Sequence, residues 1–434
     1  MREMKDSGVP WIGDIPVDWN VSIVLSEFEE VKNINKGMLE KNLLSLSYGN
    51  IVRKEINSNN GLLPDSFETY NIIPQNSIVL RLTDLQNDKR SLRSAICNEQ
   101  GIITSAYTTI QLKSDIENHP RYMNYLFRCY DDCKVFYGLG NGVRQSINYS
   151  ELKRVAILKP SYNCQMQIAK YLDTKCTQID TIITKEQSVI EKLQEYKRAI
   201  ITNAVVKGLD LTVEMVDSGI EWIDSIPNYW KIKRLIFSAY IRARLGWKGL
   251  KTDEYTSEGH PFLSAVNIQN DKLVWEDLNF INDNRYDESP EIKLELGDLL
   301  LVKDGAGIGK CAVVDQLPYG TATTNSSLGV ITPYPELNSM YLYYFFKSAI
   351  FQNYISRIKN GMGVPHLTQG NLKNIMVVIP PYCEQEAIVA YLDKKCSNLD
   401  SIILKKQALI DKLAEYKKSL IYEVVTGKKE VPHV

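Results

Sequence analysis

The chain of 434 residues is long enough for two or three domains of ordinary size. Its formal net charge of −1 excludes a protein that attracts nucleic acid through an overall excess of positive charge, so such a partner must be held by local patches. The eight cysteines contain no CxxC pair, which disfavours a zinc site and indicates reduced intracellular thiols. With no secretory signal at Met1 and no apolar run of transmembrane length, we expect a soluble cytoplasmic protein.

The first recognisable element is a segment that occurs twice. Residues 6–19, DSGVPWIGDIPVDW, return as residues 217–230, DSGIEWIDSIPNYW, with eight of fourteen positions identical. We place the complete repeated segments at residues 4–24 and 215–235. A period above 200 residues indicates that whole domains were duplicated.

The first insert follows the first repeated segment and reaches to about residue 160. Its runs SIVLRLTDLQNDKRSLRSAIC and GIITSAYTTIQL are bounded by turn residues and predict β-strands. One loop is crowded with side chains that can read base edges, because Arg and Lys suit guanine, Asn suits adenine and Asp accepts from cytosine. The residues that we expect to contact DNA in these runs are Arg81, Thr83, Asp84, Asn87, Lys89, Arg90, Arg93, Ser105 and Tyr107.

A long helix is predicted next, over residues 161–208, and its repeat is predicted over residues 381–428. Seventeen of thirty-one positions are identical between residues 171–201 and 391–421, and Pro and Gly flank both copies as start and stop signals. Apolar residues at spacings of three and four form one stripe that includes Tyr196 and Tyr416. The predicted helix–helix seam contains Leu172, Ile179, Ile183, Glu186, Ile190 and Leu193, and Leu392, Leu399, Ile403, Lys406, Ile410 and Leu413.

Two such helices most economically pack on each other as an antiparallel coiled coil, although each could instead pack only on its own domain. Glu186 and Lys406 interrupt the stripe near the middle of each helix. If a two-fold axis passes there, they face each other with opposite charge. Glu186→Lys alone should then destabilise the pair, and adding Lys406→Glu should restore it.

The second insert lies between about residues 235 and 380 and cannot be aligned with the first. Its neighbourhood opens with KIKRLIFSAYIRARLGWKGLK, residues 231–251, which holds seven Lys or Arg and no acid and predicts a local phosphate-binding patch. Gly-rich loops at residues 140–153 and 360–373 occupy equivalent places before the two helices and could approach a sugar-phosphate backbone closely. The further residues expected to contact DNA are Arg144, Gln145, Arg242, Arg244, Lys248, Lys303, Lys310, Asn325, Lys359, His366 and Thr368.

The run LLVKDGAGIGKCAVV, residues 300–314, resembles a nucleotide-binding phosphate loop only in part. Asp304 replaces the first glycine of that motif and Cys311 replaces its magnesium-binding Ser or Thr. The flanking apolar runs favour a tight turn between two strands. If Lys303, Lys310 and the glycine backbone meet a phosphate, we expect that phosphate to belong to DNA.

No catalytic constellation is evident in the sequence. Neither a carboxylate pair nor a Ser/His/Asp set nor a metal cluster presents itself. Residues 379–382, Ile-Pro-Pro-Tyr, resemble a methyltransferase loop, but Ile379 cannot offer the side-chain oxygen that binds the target amine. We therefore expect no enzymatic activity and no cofactor in this chain.

These features together resemble the DNA-specificity subunit of type I restriction-modification enzymes over nearly the full length. The resemblance rests on the paired W-I-x-x-I-P-x-x-W segments, on residues 160–165 and 380–385 before the helices, and on the duplicated helices. The first copy departs slightly, with Cys164 where the second has Glu384, and we expect this to cost only a carboxylate at the helix start.

The resemblance implies an α+β fold with two β-rich target recognition domains joined by two long antiparallel helices. The domains would be 1–160 and 209–380, the spacer helices 161–208 and 381–428, and the tail 429–434. Each domain would read one half of a bipartite DNA site. Two methyltransferase subunits carrying S-adenosylmethionine would dock on the repeated regions, and restriction subunits would bring ATP and magnesium, in a prokaryotic cytoplasm.

Two other classes stay open on the sequence alone. A coiled-coil adaptor with two protein-interaction domains and no DNA role would show the same duplication and helices. An enzyme would require a cofactor site that the motifs above do not provide. Sequence-specific binding of duplex DNA separates the resemblance from the adaptor.

Overall fold

A computed structural model describes residues 2–55, 64, 66–85, 92–139, 146–243, 250, 254–305, 307–360 and 366–432, with only the backbone at 358–360. The chain has a mixed fold of helices and strands, and its contacts divide it into two compact units. Unit 1 comprises Met1–Gln187 and Ala408–Val434, and unit 2 comprises Ser188–Gln407. Each unit thus contains part of both long helices, whereas the sequence division set these helices apart as separate segments. Among the described residues, no helix is long and apolar enough to cross a membrane.

Unit 1 consists of short strands, three short or medium helices and parts of two long helices. Its strands are β1 (Met4–Asp6), β2 (Asp14–Pro16), β3 (Asn20–Ile23), β4 (Phe28–Glu30), β5 (Leu44–Ser47), β6 (Asn50–Arg53), β7 (Asn71–Ile73), β8 (Ile78–Leu80), β9 (Ser94–Ile96), β10 (Gly101–Ile103), β11 (Thr108–Leu112) and β12 (Ala156–Lys159). Its helices are α1 (Val24–Glu27), α2 (Pro120–Asp132) and α3 (Tyr149–Leu152), followed by the start of α4 (Tyr162–Lys207).

Unit 2 has a similar sequence of elements. Its strands are β13 (Met215–Ile220), β14 (Ile223–Pro227), β15 (Lys231–Arg234), β16 (Ala239–Arg242), β17 (His260–Leu263), β18 (Ile268–Gln269), β19 (Lys272–Leu273), β20 (Asn279–Ile281), β21 (Leu299–Val302), β22 (Cys311–Val313), β23 (Thr323–Thr324), β24 (Leu328–Pro333) and β25 (Met376–Ile379). Its helices are α5 (Asp283–Asp287), α6 (Ser339–Lys347), α7 (Ala349–Asn360), α8 (Gln369–Lys373) and the first part of α9 (Tyr382–Val425).

The two inserts form the same four-stranded antiparallel sheet, although their sequences do not align. The strand order is β4-β11-β8-β9 in unit 1 and β16-β24-β21-β22 in unit 2. Every residue of β8 and of β21 is buried, as expected for strands whose continuous apolar runs are covered on both faces. Because the sheet needs only apolar residues at these positions, two unrelated sequences satisfy it.

The repeated parts of the chain make the same contacts in each unit. Strand β3 pairs with β12 in unit 1, as β15 pairs with β25 in unit 2. The buried Tyr122 hydroxyl donates to Leu158 O and Val425 O, both at 3.3 Å. The buried Tyr341 hydroxyl makes the corresponding bonds in unit 2, to carbonyls of β25 and of α4, both at 2.9 Å. Each tyrosine therefore ties the frame of its own unit to the end of a long helix.

Both long helices begin and end where their flanking residues predict. Helix α4 follows Pro160 and ends before Gly208, whose φ is +77°, and α9 follows Pro381 and ends before Gly427, whose φ is +74°. Glycine adopts this left-handed conformation without the steric penalty that other residues incur, so it stops a helix at low cost. At about 1.5 Å per residue, the 46 residues of α4 extend over roughly 70 Å.

The seam residues predicted from the apolar stripe are buried or half-buried at all twelve positions. Two further members of the stripe were assigned wrongly, because Tyr196 and Tyr416 are 57% and 51% exposed. The next residue along each helix takes part in the packed face instead. Lys197 donates to Asp400 at 2.7 Å in unit 2, and Lys417 donates to Asp180 at 2.6 Å in unit 1. The expected contact of Glu186 with Lys406 involves both units and stays a prediction.

Candidate nucleic-acid interface

The polar residues predicted to contact DNA in unit 1 come from separate segments that meet at one end of the four-stranded sheet. Arg81 follows β8 and Tyr107 precedes β11. These strands are neighbours in which Thr108 lies opposite Leu80, so both residues lie at the same sheet end.

A third segment, the residues that precede α3, joins this sheet end. Ile147 donates its backbone N–H to Leu82 O at 3.0 Å, and Asp84 donates its backbone N–H to Ser146 Oγ at 3.4 Å. The described residues of this surface are half-buried or exposed, so polar atoms of the group reach solvent. We call the following residues the first sheet-end surface: Arg81, Thr83, Asp84, Ser105, Tyr107 and Ser146.

The same three segments meet in unit 2. Lys303 donates its backbone N–H to Ser327 O at 2.9 Å, and Leu367 donates its backbone N–H to Lys303 O at 2.8 Å. The carboxylate of Asp304 contacts both the Lys303 ammonium and the His366 imidazole. The following residues form the second sheet-end surface: Lys303, Asp304, Lys310, Asn325, Ser327, His366 and Thr368.

Local structure holds the side chains of the second surface in place. Thr368 caps the start of α8, where its hydroxyl accepts the Asn371 backbone N–H at 3.1 Å. Asn325 accepts the Ser327 backbone N–H at 3.0 Å and the Ser327 hydroxyl at 2.5 Å. Side chains that are already oriented lose less conformational entropy on binding, which suits a recognition surface.

Arg93 corrects one of the sequence predictions. Its side chain is fully buried, with no exposed surface, so it cannot contact DNA. Its guanidinium donates to three carbonyls of the loop after β8, those of Arg81 at 3.2 Å, Thr83 at 2.8 Å and Asp84 at 3.2 Å. Arg93 therefore shapes the loop that carries part of the first sheet-end surface.

The prediction that Arg242 contacts DNA was also wrong. The predicted phosphate-binding patch at residues 231–251 thereby loses one of its cations. The buried Arg242 guanidinium pairs with the fully buried Asp298 through Nη2, which lies 2.7 and 2.6 Å from the two carboxylate oxygens. It also donates to Lys293 O at 2.7 Å. In the same stretch, Lys233 is engaged with Glu336 at 3.3 Å. Arg242 therefore neutralises a buried carboxylate and is not available to a phosphate, whereas Lys233 is exposed beside its carboxylate.

The glycine-containing run at residues 303–310 is a hairpin turn, as its flanking strands predicted. Strands β21 and β22 pair antiparallel on either side of it, with Leu301 opposite Cys311. The backbone N–H groups of Ile308, Gly309 and Lys310 already donate to carbonyls of the same hairpin, at 3.2, 2.9 and 3.0 Å. These amides are therefore not available to bind a phosphate. This excludes a nucleotide-binding loop here, and the expected phosphate contact of the Gly309 backbone N–H was wrong.

Several predicted contacts lie outside the described residues. They are Asn87, Lys89, Arg90, Arg144, Gln145, Arg244, Lys248 and the side chain of Lys359. Their expected role in DNA binding stays a prediction. Among the described residues, no group of three or more His, Cys, Asp or Glu side chains is arranged to hold a metal ion.

The sequence reasoning missed Ser146, Asp304 and Ser327 as members of these surfaces. Each lies within three residues of a residue that was predicted; Ser146 and Ser327 have no charge or amide group, whereas Asp304 has a carboxylate, as the predicted Asp84 does. Only the pairing of distant strands and segments shows that they belong to the same sheet ends. A signal was present for Asp304, which opens the glycine-containing turn.

The two units thus share one sheet order, carry different polar residues at the same sheet end, and each contain part of both long helices. Residues 247–413 match the family model of the type I restriction modification DNA specificity domain. The chain is therefore similar to the specificity subunits of type I restriction-modification enzymes.

Similar proteins support this assignment. The type I restriction enzyme MjaVIII specificity subunit of Methanocaldococcus jannaschii is 23% identical over 339 residues, covering 77% of this chain and 76% of that protein. A chain from a structure of a type I R-M system, described by its complex assembly and conformational transition, has a TM-score of 0.72 at 14% identity and covers 96% of this chain and 99% of its own length. The HsdS subunit from Thermoanaerobacter tengcongensis has a TM-score of 0.51 at 14% identity, covering 96% and 98%. At these identities the solved structures support the fold alone.

Proposed function

We propose that this chain is the non-catalytic, sequence-specific DNA-binding subunit that recognises a bipartite, asymmetric site. The observation that carries the proposal is the pair of sheet-end surfaces, which occupy equivalent places in two like sheets and carry different combinations of polar residues. Like sheets place each surface in the same way, and unlike residues read different bases. Each unit therefore reads one half-site.

The long helices set the distance between the half-sites. We propose that α4 and α9 form one antiparallel coiled coil, which is supported by the ion pairs Lys197–Asp400 and Lys417–Asp180. These pairs are related by the internal repeat of 220 residues. A stiff spacer between two reading surfaces fixes the half-site separation, as dimer geometry does in other DNA-binding proteins.

The repeated frame provides two equivalent docking regions. Because the frames make the same contacts in both units, they suit two copies of one partner, which we take to be methyltransferase subunits that modify adenine N6. Restriction subunits complete the complex. Those partners bind S-adenosylmethionine, ATP and magnesium. This chain recognises the DNA site and assembles the complex.

The proposal is tested with the chain purified together with its methyltransferase partner. Methylome sequencing of a host that carries the intact system first gives the modified motif. Fluorescence anisotropy then compares duplexes with the whole motif, with either half scrambled, and with both scrambled. Scrambling one half should weaken binding strongly, and log Kd should change linearly with log salt concentration. Equal binding to all four duplexes, or insensitivity to salt, would instead indicate a protein-interaction adaptor.

A further inference from the structure

The two-residue turn between β5 and β6 has an unusual first residue. Tyr48 and Gly49 both have positive φ, +47° and +74°, as in a type I′ hairpin turn. Glycine adopts this conformation freely and asparagine tolerates it, whereas a bulky side chain incurs a steric penalty. Tyr48 is also 84% exposed, so packing within the unit does little to offset that penalty.

Unit 2 has a hairpin turn at the corresponding place without a tyrosine. Strands β18 and β19 are joined by Asn270 and Asp271, whose φ values are +48° and +64°. Each hairpin lies beside the last strand of its four-stranded sheet, β6 next to β9 and β19 next to β22. Asn and Asp are residues that such turns favour, so the fold does not require a tyrosine here. A strained and exposed side chain that the fold does not require indicates a role in binding.

This turn is held at the sheet end that carries the first sheet-end surface. The Arg128 guanidinium of α2 donates to Gly49 O at 2.6 Å and to Ser94 O at 3.3 Å. Ser94 begins β9, at the end of the sheet where β8 leads into Arg81. Gly49 is needed for this approach, because a Cβ there would lie 2.4 Å from Arg128 Nη2. One guanidinium therefore joins the turn to the strand end beside Arg81.

Tyr48 lines an open groove of about 650 Å³ between the hairpin, α2 and the unit 1 parts of the two long helices. Its charged lining consists of three cations and two carboxylates, namely Arg121, Arg128, Lys417, Asp173 and Asp180. Asp173 pairs with Arg121 at 3.2 Å. Asp180 pairs with Lys417 at 2.6 Å. The carboxylates that line the groove are therefore compensated, and the net charge of its lining favours an anion.

We propose that Tyr48 is a DNA-backbone contact of unit 1, in which its ring packs on a deoxyribose and its hydroxyl donates to a phosphate of a strand that lies in this groove. Tyrosine hydroxyls are among the groups that bind DNA phosphates, and such contacts position a protein without reading sequence. Because the groove adjoins both the sheet end and the long helices, the phosphate belongs to the spacer side of the first half-site. The inference rests on the proposed function and adds a contact that unit 2, with Asn270, does not share.

Tyr48→Asn separates binding from folding, because the two should change in opposite directions. The variant gives unit 1 the residue that unit 2 has in its turn, so the thermal unfolding midpoint of the chain should rise by about 2 to 4 °C. In the anisotropy assay with the methyltransferase partner, the Kd for the whole motif should rise about tenfold. Duplexes with scrambled halves should lose the same factor, and the slope of log Kd against log salt concentration should not change, because no charge is removed.

Two further variants define what Tyr48 contributes. Tyr48→Phe keeps the ring and removes the hydroxyl, so its affinity should lie between those of the natural chain and Tyr48→Asn. Leu39→Asn is the matched control, because Leu39 is equally exposed, at 84%. It precedes Glu40, which accepts a hydrogen bond from Gln100 beyond the other end of β9. The affinity of this control for DNA should be unchanged.

Photo-crosslinking locates the contact. With p-benzoylphenylalanine in place of Tyr48, cross-links should map to the spacer side of the first half-site whatever bases stand there. Cross-links to the methyltransferase instead, or a Tyr48→Asn variant that binds DNA as tightly as the natural chain, would overturn the inference and leave the proposed function intact. A natural chain that binds whole and scrambled duplexes equally would refute the proposed function, and the Tyr48 contact with it.

Discussion

The guanidinium of Arg93 is enclosed by the loop that it stabilises. This placement distinguishes a structural arginine from a DNA-contacting one, which the sequence alone does not. An arginine beside a polar loop can bind DNA or hold the loop, and both need the same donors. Burial decides between them, because Arg93 has no exposed surface whereas Arg81 is only half-buried. The same distinction applies to Arg242, which neutralises the buried Asp298.

Replacing Arg93 by alanine should destabilise unit 1. The change leaves three loop carbonyls without their donor, and we expect the free energy of unfolding to fall by about 2 to 4 kcal/mol. Urea denaturation measures this loss. Arg121→Ala is the matched control, because the Arg121 ion pair with Asp173 is exposed and should contribute under about 1 kcal/mol. Equal losses in both variants would contradict the structural role of Arg93.

Arg81→Ala should relax base preference within one half-site only. A side chain that reads base edges contributes about 1 to 3 kcal/mol of discrimination. Binding to duplexes with single substitutions in each half measures the loss, and Arg90→Ala should act in the same half. Lys310→Ala, on the second sheet-end surface, is the matched control for the other half. A uniform loss on all sequences would make Arg81 a phosphate contact.

Cys133 should be the most reactive thiol of unit 1 near neutral pH. The neighbouring Cys129 thiol donates a hydrogen bond to it, which lowers the pKa of Cys133 to about 7. Alkylation by iodoacetamide should therefore rise to half its maximum near pH 7, and Cys129→Ala should move that midpoint up towards the ordinary value of about 8.5. Mass spectrometry measures both rates. An unchanged midpoint in the variant would exclude the hydrogen bond as the cause.

At the scale of secondary-structure elements, the long helices were the easiest part of the chain to predict. Their stripes, their proline starts and their glycine ends are all local signals. The misassigned Tyr196 shows the limit of the pattern, because a tyrosine and the aliphatic stem of Lys197 can each cover a helix seam. The ion pair of Lys197 with Asp400, a residue far away in sequence, favours the lysine.

The charge pair between the helices in unit 1 should be measurable by reversal. Asp180 is about half exposed, so Asp180→Lys alone should cost about 0.3 to 1 kcal/mol, and adding Lys417→Asp should recover most of it. A double-mutant cycle in thermal unfolding gives the coupling. The equivalent cycle at Asp400 and Lys197 in unit 2 should give a coupling of similar size. Strictly additive losses in both cycles would show that these pairs do not couple the helices.

At the scale of the whole molecule, and on the proposed function, duplication explains how one chain reads an asymmetric site. Two copies of the frame hold the two inserts in equivalent positions. The insert sequences are free to diverge because the sheet requires only buried apolar residues. The shared strand order could not be predicted as a whole, since β4 pairs with β11 and β16 pairs with β24, and the strands of each pair are far apart in sequence.

Lengthening both long helices should change the distance between the half-sites. Seven residues inserted after Gln187 and after Gln407, which are equivalent positions, preserve the seam and add about 10 Å, or roughly three base pairs. Methylome sequencing should report the same two half-sites with a longer gap. The insertion in one helix alone should abolish modification. An unchanged gap with both insertions would refute the role of the helices as a spacer.

The sequence by itself determined the duplication, the two long helices and the hairpin around residues 303–310, because repeats, periodicity and turn residues are recorded locally. It also indicated where many of the polar residues of the two sheet-end surfaces lie. Only the tertiary structure decided which of these residues are available. Arg93 is buried against carbonyls of the loop after β8, and Arg242 is buried against the carboxylate of Asp298, which precedes β21. Burial and pairing depend on neighbours that are distant along the chain, and a reading of local patterns does not contain them.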